Sequence, residues 1–421
     1  MYFLFDSKAD IYTKQEAANE LPKESAYNNP PPGVVPGLFS AKDGPAHQRQ
    51  RRIFAPAFTN TALRKQETML AGHVKKLVAY LHRACESGEA QVNFADLFNF
   101  LTFDVMADLA FGAPLGLLDS GSYNTWVRNM FAVIKLLSLR LTLLSYTPLI
   151  VRLLTPLLAS KSAVEKRNQH FSFAAELVNK RLDRSEDLDR PDIWSFVEKK
   201  QDTLTRPEMH SNAIILMGAG SETAASALCG IVWYLTRQLD CMEALVREIR
   251  ELRGEKDFTM ENLVNLPYLN AVINEGMRLY PPAPDMQHRV VPAGGATICG
   301  NHVPAETTVA VYQYPAYHSR HNFHRPEEFL PERWLPEALE KGEFVKDDRR
   351  VLQPFSKGPR SCIGKNLALH EIRLTLAYLL WHFDLYATSA SENWLQQKSY
   401  LAWDRPALQV VVKGTDTASI F

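Results

Sequence analysis

Apolar residues recur at helical spacing through most of the first two thirds of the chain. Over residues 65–85, and again over 98–111 with Gly112 as the stop, they fall three and four positions apart, the pattern of helices with one buried stripe. Residues 211–237 form a longer apolar run without proline, 241–253 carry paired charges and stop at Gly254, and 268–280 are halted by Pro281 and Pro282. Beyond Pro281 the texture becomes that of short strands, at 287–291, 296–298 and 307–311, separated by Gly294-Gly295, Gly300-Asn301 and Pro304. An irregular stretch rich in Pro, His and Arg occupies 314–355, and helix returns over 362–381. The pattern predicts a mainly α protein of the α+β class, a large helical body with a small β region. Neither a repeat period nor a Gly/Ser linker divides it, so residues 1–421 are expected to form a single domain.

Composition narrows the function. The chain is 46% hydrophobic and 22% charged, ordinary values for a folded globule, and its 47 basic and 47 acidic residues cancel. That balance argues against a nucleic-acid partner. The five cysteines are scattered without a C-x-x-C pair, which excludes a disulfide scaffold or a zinc module as the organising element. The apolar start at residues 1–5 ends at Asp6, too short to span a bilayer. The long apolar stretch at 136–159 is broken by Arg140, Pro148, Arg152 and Pro156. It is read either as two buried or half-buried helices, or as a channel lid or surface that dips into one membrane leaflet.

The most informative segment runs Phe355-Ser356-Lys357-Gly358-Pro359-Arg360-Ser361-Cys362-Ile363-Gly364. Each of its special residues has a physical role if Cys362 is an axial thiolate ligand to haem iron. A cysteine where a loop turns into a helix faces backbone N–H groups and the positive helix end, both of which favour the thiolate. Gly358 permits a tight turn beneath a flat macrocycle, Gly364 a close approach of the new helix, and Arg360 can pair with a propionate. Phe355 would shield the sulfur. The segment resembles the haem-binding signature of the cytochrome P450 family, Phe-x-x-Gly-x-Arg-x-Cys-x-Gly, with every fixed position occupied.

Three further stretches match the family in order. Glu275 and Arg278, one helical turn apart, resemble the pair that joins a downstream arginine, here Arg333, in a structural triad. Gly220-Ser221-Glu222-Thr223 resembles the oxygen-groove motif, which implies that Thr223 donates a hydrogen bond over the iron and that Glu222 and Thr223 relay protons; close helix packing is the bland account of the mid-helix glycines Gly218 and Gly220. His47 and Arg51, four residues apart on one helix face, resemble a propionate-binding pair, with Arg289 as a further partner. The resemblance further implies haem b as cofactor, O2 and a lipophilic small molecule as substrates, and electrons from NADPH through a cytochrome P450 reductase. That reductase would dock near Arg49, Arg52, Lys357 and Lys365. Substrate contacts are expected from 27–39, 136–159, 211–217 and 283–287.

The later half is similar to fungal secondary-metabolism members of the trichothecene-type hydroxylase group, through Gly294-Gly295-Ala296-Thr297-Ile298, Pro331-Glu332-Arg333-Trp334 and Lys365-Asn366-Leu367-Ala368. The resemblance places the protein at the cytosolic face of the endoplasmic reticulum. Residue 1 aligns just before the family's second helix, so the anchor, first helix and first strands are expected to be missing, leaving a sheet edge unpaired. A haem-thiolate isomerase or dehydratase, and a non-catalytic truncated haem protein, stay open as alternatives. His370-Glu371 begins like a zinc-protease motif, but Leu374 stands where its second histidine belongs.

Overall fold

The computed structural model describes residues 10–13, 21–24, 34–41, 44–147, 161–184, 191–197, 204–284 and 288–415. The apolar segments at 1–5 and 148–159, and parts of the substrate-contact segments at 27–33 and 285–287, lie outside the described residues. The principal helices are α1 (Gly44–Phe54), α2 (Asn60–Ala84), α3 (Phe94–Phe111), α4 (Thr125–Tyr146), α5 (Lys161–Leu182), α6 (Arg206–Leu235), α7 (Leu239–Arg250), α8 (Pro267–Leu279) and α9 (Lys365–His382).

Two helices form the centre because both are apolar on nearly every side, and such a helix is stable only when surrounded. In α3 every residue but Asp96 is buried; Asn93 caps its start and Gly112, in the left-handed region at φ 69°, ends it. Its neighbour α6 is long and apolar enough to cross a membrane by composition, yet it packs along α3 within the main core. A capping box closes its first turn, with Thr205 accepting from the Glu208 N–H while Glu208 accepts from the Thr205 N–H. By contrast α7 buries Cys241, Met242, Leu245 and Ile249 on one stripe and leaves its charges outside.

The expected strands form as β2 (Arg289–Val290), β3 (Ala296–Ile298) and β5 (Thr308–Val309), with β4 (Asn301–Val303) between the latter two. Antiparallel pairs β2–β5 and β3–β4 result, and an isolated bridge joins Lys23 to Arg289. The largest sheet lies elsewhere. Strands β1 (Ala90–Asn93), β6 (Phe383–Ala387) and β9 (Gln409–Gly414) join in the order β1-β9-β6, with Ala90 opposite Val412 and Leu385 opposite the same Val412. The sequence pattern reads the chain as helix almost continuously to about residue 280, and β1 interrupts that run. Two further short strands, β7 (Ser399–Tyr400) and β8 (Ala402–Trp403), make a hairpin near the C-terminal end.

Candidate functional site

A cavity of about 280 Å³ opens between α6, the loop carrying Cys362 and the start of α9. Cys362 stands at its floor. The loop is fixed by the Cys362 N–H, which donates to the Phe355 carbonyl at 2.8 Å. The cysteine is deep in the molecule but its surface is open, because what it faces is the cavity and not other side chains. Burial pushes the thiol up, while the Gly364 N–H, Arg51 and Lys365 pull it down. The helix starts at Lys365, three residues later than the sequence pattern suggests, so the backbone N–H of Gly364 at the cap reaches the sulfur.

The two loop glycines differ. Gly358 sits at φ 77°, and a Cβ there would stand 1.9 Å from the Tyr12 carbonyl oxygen. Gly364 has φ −86°, open to any residue, and an added Cβ would make an ordinary 3.9 Å contact with the Cys362 sulfur. Phe355 lines the cavity beside the cysteine, with the Lys365 ammonium 5.9 Å from its ring centre.

A cluster of positive charge borders the other side. Arg51 donates from Nη1 to the Ser361 carbonyl at 2.7 Å, and Arg360 donates to the Ala41 carbonyl. His47 is buried among them with Nδ1 lacking a hydrogen-bond partner. Burial first, then Arg360, Arg51, Lys23 and Arg289, hold its pKa down to about 3. Arg289 is buried with its guanidinium 5.2 Å from the Tyr12 ring, and it acts on this region through its charge and not as a lining residue. Burial leads that suppression, and Arg51 and Arg360 bring positive charge to the same border of the cavity. The residues therefore fit a haem. An open cysteine sulfur would hold the iron, and His47, Arg51 and Arg360 would hold the propionates.

On the opposite wall, Thr223 of α6 lines the cavity, its hydroxyl turned back to donate to the Ala219 carbonyl at 2.7 Å. Its lone pairs are thereby left to accept. Gly220 lines the cavity too, but an added Cβ would lie 2.6 Å from the Met106 sulfur of α3; the missing side chain is needed for helix packing. Glu222 does not join Thr223. Consecutive helical positions point about 100° apart, and the Glu222 carboxylate accepts from Arg405 Nη2 at 2.9 Å within a separate polar pocket. Burial pushes this carboxyl up and Arg405 pulls against it. Of the two residues expected to relay protons, Thr223 lines the cavity and Glu222 lies in the pocket of Arg405.

Glu275, Arg278 and Arg333 come together and are fully buried. The Glu275 carboxylate accepts from Arg278 twice at 2.8 Å, from Arg333 Nε at 3.0 Å, from Trp334 Nε1 at 2.8 Å and from the Leu330 N–H at 2.9 Å. Asp347 adds a second carboxylate on Arg333. Nothing in the sequence marks Asp347, which meets Arg333 through an irregular stretch without periodicity, and Arg405 is equally unannounced, because its partner Glu222 is 183 positions away. Among the expected docking residues, Arg52 and Lys365 are exposed, Lys357 is half-buried, and Arg49 is engaged by Glu208 of α6.

Residues 8–411 match the Cytochrome P450 family. The chain is 40% identical over 408 residues to the cytochrome P450 monooxygenase efuB of Hormonema carpetanum, covering 95% of this chain and 79% of that one. It is 42% identical over 384 residues to the cytochrome P450 monooxygenase FUM2 of Gibberella moniliformis, covering 89% and 79%. The crystal structure of the cytochrome P450DA heme domain superposes with a TM-score of 0.80 at 17% identity, over 100% of this chain and 88% of the other, and so shares its fold. An open cysteine in the signature loop, arginines bordering its cavity beside a buried histidine, and relatives of this closeness lead to one conclusion: the chain belongs to the cytochrome P450 family of haem-iron monooxygenases.

Proposed function

We propose that the protein inserts one oxygen atom of O2 into a lipophilic small molecule of fungal secondary metabolism, with electrons from NADPH delivered by a reductase. The overall reaction is RH + O2 + NADPH + H⁺ → ROH + H2O + NADP⁺. The observation that carries the reading is the open Cys362 sulfur at the floor of an apolar cavity. Bound there, the haem supplies the activation of dioxygen, with thiolate ligation favouring O–O cleavage.

The chain's own residues do the rest. The Gly364 N–H and the charges of Arg51 and Lys365 favour the thiolate form of Cys362. His47, Arg51 and Arg360 bind the propionates, His47 as a neutral imidazole. Thr223, with its own proton engaged by Ala219, accepts hydrogen bonds from water in the cavity. Ile215, Leu216, Ala283 and Met277 give the substrate an apolar wall and exclude bulk water. Glu275, Arg278 and Arg333 fix the irregular stretch ahead of the ligand loop.

The reductase docks on the side of Arg52, Lys357 and Lys365, with Arg49 contributing less because Glu208 neutralises it. The exposed Leu139 and Leu143 of α4 lie in the segment expected to touch a membrane, consistent with attachment at the cytosolic face of the endoplasmic reticulum. The test is the spectrum of the reduced, CO-bound protein, in which thiolate ligation gives a red-shifted Soret band. Cys362→Ala should abolish that band; a folded, haem-loaded wild type lacking it overturns the reading.

A further inference from the structure

Residues 35–41 cross one side of the cavity as a strap without helix or strand, and Leu38 and Phe39 line the cavity from it. Phe39 is also 51% exposed, so the strap stands where the cavity meets the surface. Leu38 packs against the main core, and the backbone of the strap is tied down by polar side chains from elsewhere. Ser211 Oγ donates to the Val35 carbonyl at 2.8 Å, Gln50 Nε2 to the Pro36 carbonyl at 3.0 Å and Lys23 Nζ to the Phe39 carbonyl at 2.6 Å, while Arg360 holds the Ala41 carbonyl. The Leu38 N–H donates to Asn212 Oδ1 at 2.7 Å.

Asn212 of α6 lines the cavity and is 1% exposed, yet both of its amide hydrogens are committed away from a ligand. Nδ2 donates to Gln50 Oε1 at 3.0 Å and to the Glu208 carbonyl at 2.8 Å. Gln50 of α1, equally buried, passes the connection on to Pro36. The partners fix both amides, because the Leu38 N–H requires an acceptor and the two carbonyls require donors. One network of two amides therefore joins α6, α1 and the strap. The strap lies so close to α6 that a Cβ on Gly37 would stand 2.7 Å from Ile215 Cδ1 and 3.1 Å from Asn212 Oδ1. Water replaces a hydrogen bond when the strap lifts, so each bond shifts the ratio of closed to open by only roughly 2- to 10-fold.

Resting on the haem-thiolate reading above, we infer that Asn212 and Gln50 are positioning residues that select substrates by size. They clamp the strap and so hold Leu38 over the entrance. A slender molecule passes the clamped strap, and a bulky one enters or leaves only when the clamp has released. Neither amide touches the substrate; both act through Leu38 and its backbone.

The experiment uses the haem-loaded full chain and two ligands that bind iron through a ring nitrogen and shift the Soret band, imidazole and the bulkier phenylimidazole. Stopped-flow absorbance gives the rates of entry and release. Asn212→Leu, an apolar side chain of similar size, and Gln50→Met each break the network from a different helix. In both, entry and release of phenylimidazole should rise together by about tenfold, because the strap is open more of the time, while the rates for imidazole stay within about twofold. The double variant should be no faster than the faster single one, since one network is lost once. A direct contact between Asn212 and the ligand would instead raise release and leave entry alone. Independently of any ligand, the Leu38 amide should exchange its hydrogen about tenfold faster in each variant, the mark of local opening.

Unchanged phenylimidazole rates in both single variants, a rise in release alone, an equal rise for imidazole, or a double variant in which the two effects multiply, each overturns the inference. Failure of the haem-thiolate reading shows separately, as a missing red-shifted CO band in the wild type.

Discussion

Glu275→Gln is the perturbation whose size can be worked most directly from the structure. The carboxylate accepts three hydrogen bonds at Oε1, from Arg278 Nη2, Arg333 Nε and the Leu330 N–H. It accepts two at Oε2, from Arg278 Nε and Trp334 Nε1. A glutamine of the same shape keeps one oxygen. In its better orientation the amide nitrogen replaces Oε2 and meets Arg278 Nε and Trp334 Nε1 donor to donor. The bond from the charged guanidinium is worth about 1.5–3 kcal/mol and the neutral one about 0.5–1.5 kcal/mol. The substitution also leaves Arg278 and Arg333, both fully buried, with Asp347 as the remaining carboxylate of the cluster. Breaking a buried pair from one side costs about 3–5 kcal/mol, so the two routes agree on a loss of roughly 3 kcal/mol or more. That is a large share of the roughly 5–15 kcal/mol by which native proteins are stable. Urea unfolding followed by tryptophan fluorescence measures it, with the fraction of protein retaining haem as a second readout. The exposed Arg325–Glu328 pair is the internal control, and Glu328→Gln should leave the midpoint where it is. A loss in Glu275→Gln below about 1 kcal/mol would refute the reasoning, because the cluster would then be tolerating an unpaired buried charge.

Gly358→Ala should disrupt the ligand loop: the left-handed backbone alone costs about 1–2 kcal/mol, and the new Cβ would stand 1.9 Å from the Tyr12 carbonyl oxygen, which no side-chain rotation relieves. The readout is haem binding, expected to be lost while the far-ultraviolet helix signal survives. Thr223→Ala should shift turnover from water to peroxide with the reduced-CO spectrum unchanged, and Thr223→Ser should restore most of the water-forming route; an unaltered ratio in the alanine variant removes Thr223 from proton handling. Glu371 sets a slope of stability with pH. Its folded pKa of about 8 lies above the ordinary 4.5, so between those values the native state keeps a proton that the unfolded chain releases, and stability falls as pH rises through that window. Urea midpoints of wild type minus Glu371→Gln should decline across it, and a flat difference would show that the acid is not buried neutral.

Much of the helical body is legible in the sequence because a helix writes its buried face locally, every three or four residues. The boundaries found for α2, α3, α6, α7 and α8 lie close to the apolar runs for that reason. The ligand loop is legible for a different reason, its dense run of residues with special chemistry. What escapes is whatever depends on distant partners. Strand β1 is only four residues long and acquires its identity from β9, hundreds of positions away. Glu222 sits beside Thr223 in the sequence but faces Arg405 in space, since neighbours on a helix diverge. Glu371 looks like half of a failed metal motif; its place in the cavity depends on the register of α9 against α6.

The pairing of β1 with β9 also orders events in time. Arg51 meets Ser361, and Ala90 meets Val412, so the pocket and its largest sheet are each closed by segments from opposite parts of the chain. A nascent chain emerging from the ribosome can form α2 and α3 early, but it has neither the cysteine nor the strand that completes the sheet until residues 362 and 409–414 have been made. Contacts of such long sequence separation form late. The pocket therefore closes only once segments more than 300 residues apart have met, and until then its apolar walls stand open to water and to other chains.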